Sequence, residues 1–161
     1  MHDIVKNLLN IDDQIKLKVE ELNISSKPKI IAVSKTFSID KIQPLIDMGH
    51  SDFGENRVQE LKEKAEELPG SIKWHFIGHL QRNKVKYIAP YVYMIHGVDS
   101  IKLLRAVNKE AIKFGRIIDV LLQFHIAEEL SKFGFVQSDV ELLKDINIQQ
   151  EFQGVRIRGV M

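Results

Sequence analysis

Residues 30–38 read Ile30-Ile31-Ala32-Val33-Ser34-Lys35-Thr36-Phe37-Ser38. Four apolar residues run directly into Ser34 and a lysine, and Thr36 and Ser38 follow. An apolar run bounded by polar turn formers reads as a short buried strand. Lys35 then stands at the strand's C-terminal mouth. A lysine there loses water, and loss of water disfavours the ammonium form. A neutral amine can attack an aldehyde and form a Schiff base. The same position also suits a lysine that lays its stem along the strand end and keeps its charge in water. Spacing alone leaves both readings open.

The unit seen at 30–38 recurs: an apolar or β-branched run, a polar tip, then a helical pattern. The runs lie at 29–33, 51–53, 72–77, 91–98, 118–126 and 155–161. Before them, Ile4, Leu8, Ile11, Ile15, Val19 and Leu22 recur at spacings of three or four, the mark of one helix face. Residues 23–27 and Pro28 end that helix. Ser38 can cap a helix that stops at Met48-Gly49, although Pro44 inside it removes a donor and predicts a kink or a later start. Val58, Leu61, Ala65 and Leu68 form a third stripe. Ser100 can cap a helix over 101–114 with Gly115 behind it, and Ser138 with Glu141 spells a capping box.

Strands that alternate with helices form a parallel sheet with crossover connections. An open doubly wound sheet usually carries a Gly-rich phosphate turn after its first strand, and the turn after residue 33 has no glycine. The strand tips favour a (β/α)8 TIM barrel instead. Lys35, Glu55-Asn56, His75 with His79, Asp99, His125 and Arg158 all fall at or just past C-terminal strand ends, where barrels place their sites. Six βα units and an N-terminal helix are countable, whereas a closed barrel has eight units. The expectation is an α/β barrel lacking its last two strands, with residues 1–161 as one domain.

Composition narrows the function. The chain has 161 residues, 44% hydrophobic and 28% charged, with a formal net charge of +1, as a folded globular chain has. The absence of a basic excess argues against a nucleic-acid partner, and no apolar run is long enough for a membrane span. There is no cysteine, so a disulfide framework, a cysteine zinc site and a cysteine nucleophile are excluded together. No signal-peptide pattern opens the chain, which fits a cytoplasmic location. His75 and His79 are four apart but straddle a strand, Gly78 and a turn, so no metal site is expected. Asn56 suits either a ligand contact or a helix N-cap. Lys132 falls in the loop after the fifth run, on the same face as Lys35 in a barrel.

The stretches at 31–36 (IAVSKT), 53–60 (FGENRVQE), 74–84 (WHFIGHLQRNK), 131–135 (SKFGF) and 156–161 (RIRGVM), in this order, resemble the pyridoxal 5′-phosphate homeostasis protein family. That group is similar in fold to the N-terminal barrel of alanine racemase. The resemblance covers essentially the whole chain. It implies that Lys35 forms the Schiff base with pyridoxal 5′-phosphate, and that Asn56, His75 and Met161 line the cofactor pocket. It also implies a monomeric carrier that holds the cofactor and hands it to apo-enzymes, without established turnover. The alternatives are a pyridoxal-phosphate racemase or decarboxylase and a non-functional truncated product. Two departures stand out. Residues 124–132 read FHIAEELSK, with His125 and Glu128 where the family carries Asn and Gly. The family also continues past Met161 into the segment that grips the cofactor phosphate, so a C-terminally incomplete chain is expected.

Overall fold

In a computed structural model of the chain, the residues described are 3–126, 133–136, 138, 139, 141, 143 and 147–161, the side chains of 148 and 149 apart. The element order is α1 (Asp3–Glu21), β1 (Ala32–Val33), α2 (Ile39–Asp47), β2 (Asp52–Glu55), α3 (Val58–Glu67), β3 (Lys73–Phe76), a 3-10 turn (Arg82–Lys84), α4 (Val85–Ile88), β4 (Val92–Val98), α5 (Ile101–Lys113), β5 (Ile118–Leu122), α6 (Ile148–Glu151) and β6 (Val155–Val160). All six strands are parallel and lie in chain order, β1 to β6. Sequential parallel pairing of this kind is the arc of a (β/α)8 barrel. The expected α/β fold and the six strands are therefore present.

Strand register explains which residues form the core. Phe53 pairs with Trp74, Glu55 with Phe76, Phe76 with Ile95 and Ile95 with Val120. Partners in register share a face, and this face looks toward the helices, because Glu55 meets Lys64 of α3. Phe53, Trp74, Phe76, Ile95 and Val120 bury there against Ile42 and Leu45 of α2, Leu61 of α3, and Leu103, Leu104 and Val107 of α5. Ser100 Oγ accepts the Leu103 N–H at 3.3 Å and caps α5, and Gly115 follows its end at φ 62°, as the sequence pattern implies.

Three local expectations are corrected. The first strand spans only residues 32 and 33, because its register, Ala32 with Phe53, carries residues 29 and 30 below the start of β2 and leaves them without a ladder neighbour. Helix α2 begins at Ile39 and runs through Pro44, so the proline delays nothing. In α1 the row turned inward is Val5, Leu8, Asp12, Ile15 and Val19, one position round from the expected stripe, and Ile4, Ile11 and Leu22 are exposed. The Ser138–Glu141 capping box includes Val140, which lies outside the described residues, as do Glu128 and Lys132.

Strand tips crowd at one place. A Cβ on Gly78 would lie 2.4 Å from the carbonyl oxygen of Asn56 and 2.9 Å from its Cα. That contact is with backbone, which cannot turn aside. Gly78→Ala should therefore destabilise the fold by about 1–3 kcal/mol, read as a lower denaturant midpoint in equilibrium unfolding.

Candidate functional site

The parallel ladder sets two predicted residues side by side. Val33 is in register with Gly54, so Lys35 and Asn56, each two residues further on, emerge at one level at the mouths of β1 and β2. Lys35 is exposed, so of the two readings left open by the sequence it fits the lysine that keeps its charged end in water. Among the described residues it enters no hydrogen bond or ion pair, so its Nζ is open to a ligand. Asn56 does not cap α3, whose N-cap residue is Arg57. Its Oδ1 is buried without a partner. A buried orphan acceptor beside an open amine is a feature that a bound group would satisfy.

Behind the mouth lies a buried ionic knot. Glu55 is fully buried and its Oε1 accepts from Lys64 Nζ and from Ser34 Oγ, each at 2.6 Å. Lys64 Nζ also donates to the Ser34 carbonyl oxygen at 2.8 Å. The amphipathic reading of α3 missed Lys64. The signal was present, since Lys64 sits three residues after Leu61 and four before Leu68, inside the apolar stripe rather than opposite it.

The other face of the sheet is polar. His75, in register with Gly54 and one layer below Asn56, is almost fully enclosed. Its Nε2 lies 3.0 Å from Asp52 Oδ1 and its Nδ1 lies 2.9 Å from His96 Nε2. A carboxylate can only accept, so His75 Nε2 carries a proton toward Asp52. Neutral His75 then accepts at Nδ1, and His96 donates its Nε2–H. Lys29 Nζ reaches the same Asp52 oxygen at 3.0 Å. Burial pushes the Asp52 carboxyl up, but its bonds with His75, Lys29 and Ser51 outweigh that and leave it lowered. Burial lowers His75, with Asp52 opposing, and lowers His96 to about 4, with the His75 charge adding to the effect. Further round, Asp119 holds Arg156 Nε at 2.7 Å and Arg158 Nε at 3.6 Å.

The remaining candidates are more scattered. Met161 follows β6 at the opposite edge of the sheet, its N–H bonded to the Leu122 carbonyl at 2.9 Å. His79 pairs with Asp99 at 3.3 Å and stacks on Phe133 at 3.9 Å, away from His75. Among the described residues no group of three or more His, Cys, Asp or Glu side chains could hold a metal ion, and no helix is long and apolar enough to cross a membrane. The sequence reading thus brings Lys35, Asn56 and His75 into one neighbourhood. It misses Asp52, whose signal was an acid placed at the head of an apolar strand.

Two outcomes follow from these networks. Lys64→Met leaves the Glu55 carboxylate buried without its counter-ion, so unfolding free energy should drop by about 3–5 kcal/mol in denaturant titrations. For the histidines the folded values lie below the unfolded value of 6.5, so the unfolded chain takes up protons first as pH falls. The melting temperature should therefore decline as pH drops from 6.5 toward about 4, and His96→Gln should flatten that decline.

Comparisons with known proteins agree with this architecture. The family described as "Alanine racemase, N-terminal domain" matches residues 8–161. A pyridoxal phosphate homeostasis protein of Aquifex aeolicus is 35% identical over 83% of this chain and 58% of its own length. One from Buchnera aphidicola subsp. Schizaphis graminum is 36% identical over 100% of this chain and 71% of its own. The chain thus spans a little over half to about seven tenths of these relatives. The structure of PipY from Synechococcus elongatus PCC7942 with PLP bound superposes with a TM-score of 0.69 at 31% identity, over 91% of this chain and 70% of that one. With the six-stranded parallel arc and this match over nearly its full length, the chain belongs to the alanine racemase N-terminal domain family, in the group of the pyridoxal phosphate homeostasis proteins.

Proposed function

We propose that this protein binds pyridoxal 5′-phosphate at the Lys35 mouth and serves in keeping and delivering that cofactor. The observation that carries the reading is the placement of an open amine, Lys35, level with the buried unpartnered Oδ1 of Asn56. Similarity to a protein whose structure contains PLP supports it. The bound cofactor supplies a reactive aldehyde.

This chain's residues then divide the work. Lys35 would hold the cofactor through its Nζ, the amine that a reactive aldehyde at this mouth would meet. Asn56 orients the ring side of the ligand. His75, clamped by Asp52 and His96, gives the pocket a fixed polar floor. Met161 at the end of β6 contributes an apolar wall from the far edge of the arc. The proposed role is that of a monomeric cytoplasmic carrier without turnover, whose partners are apo-enzymes that accept the cofactor.

Incubating the chain with pyridoxal 5′-phosphate should produce an absorption band near the violet edge. Borohydride reduction should then fix the added mass on the peptide that contains Lys35. Lys35→Ala should lose both signals while keeping its circular dichroism. Unchanged labelling in that variant would sink the assignment.

A further inference from the structure

Both peptide groups that flank Lys35 are held by one helix. The Ser34 carbonyl, in the peptide before Lys35, accepts from Lys64 Nζ at 2.8 Å. The Thr36 N–H, in the peptide after Lys35, donates to Glu60 Oε2 at 2.9 Å. Glu60 and Lys64 are four residues apart on α3, hence one turn apart on the same face. Between these anchors the chain makes a tight turn, with the Phe37 N–H bonded to the Ser34 carbonyl at 3.1 Å. Lys35 and Thr36 are its two central residues.

That turn has an unfavourable backbone. Thr36 sits at φ 68°, a left-handed conformation that a β-branched residue rarely adopts. Glycine is the usual occupant of such a position in a turn. A strained conformation persists only where its surroundings impose it. Here the contact that imposes it is the Glu60 carboxylate. Glu60 is itself steadied by Arg57 at 3.3 Å, and the Thr36 N–H holds its carboxyl below the usual range.

We infer that Glu60 is a positioning residue for Lys35: by holding the Thr36 amide in a left-handed turn, it aims the lysine amine at the Asn56 mouth before a ligand arrives. Glu60 does not touch the ligand; it acts through the backbone. Its counterpart, Lys64, fixes the other side of the turn and is locked in place by Glu55. The inference rests on Lys35 as the point of attachment.

The test uses the 161-residue chain as parent, Glu60→Ala, Thr36→Gly and the two changes combined, with Glu60→Gln and Lys35→Ala as controls. In cofactor-free protein, Glu60→Ala should speed hydrogen exchange at the Thr36 amide about tenfold, the size expected for loss of a hydrogen bond to a charged acceptor. With pyridoxal 5′-phosphate added, the same variant should gain the violet-edge band about tenfold more slowly at unchanged melting temperature. Glu60→Gln keeps an acceptor oxygen and should recover most of the rate.

In the Thr36→Gly background the left-handed turn costs little, so Glu60→Ala should slow attachment far less there than in the parent. Equal slowing in both backgrounds, or no change in Thr36 exchange, would overturn the positioning role. A failure of the attachment reading looks different: Lys35→Ala would then gain the band as fast as the parent, while the exchange measurement still reports on the Glu60–Thr36 contact.

Discussion

The buried Lys64–Glu55 ion pair is the constraint on which the mouth of this sheet depends. Both charges have left water, and such a pair is tolerated only if the geometry is close and further hydrogen bonds support it; Glu55 Oε2 itself stays buried without a hydrogen-bond partner. Here one carboxylate oxygen takes the ammonium and the Ser34 hydroxyl, and the ammonium takes the Ser34 carbonyl as well. The pair thereby ties α3 to the ends of β1 and β2. That matters because β1 is two residues long and has one neighbour in the described sheet. So short an edge strand has little ladder to hold it. Its mouth is held from behind, by side chains of a helix that begins more than twenty residues later.

The two faces of the sheet are built on different physics. The helix-facing side is apolar and excludes water in the ordinary way, with Phe53 paired to Trp74 and Phe76 to Ile95 across three strands. Barrel interiors are usually layered with branched apolar residues too. This interior instead carries a chain of contacts through Lys29, Asp52, His75 and His96 and, apart from it, the Asp119–Arg156 pair. A polar interior is stable only when its members satisfy one another, and each bond here constrains the next. The Asp52 carboxylate sets the His75 tautomer, which sets that of His96. The result is a hydrogen-bonded polar layer beneath the strand mouths.

Much of this was legible in the sequence. The alternation of apolar runs with helical stripes located all six strands within a few residues, because strand and helix periods differ and the core enforces them. Lys35 and Asn56 were legible as strand-mouth residues because each follows a buried run by a fixed short step. Other features were not. The length of β1 depended on where its neighbour starts. The inward row of α1 depended on which line of the helix meets α2. Lys64 went unread, since a helix stripe does not say whether a lysine within it has a buried acid to meet. The exposure of Lys35 stayed open because a strand end lies inside or outside water according to what stands above it.

The sequence by itself determined the fold class, the order of its elements, and the residue types that stand at each strand mouth. These are local properties: hydrophobic period, capping signals, and short motifs whose parts are neighbours along the chain. Only the tertiary structure decided which of those residues act together. Glu60 reaches the Thr36 amide across 24 residues, Lys64 reaches Ser34 across 30, and Asp52 reaches His75 across 23. No period links such positions. They meet because parallel pairing stacks the strand ends at one level and returns each helix over the strand before it.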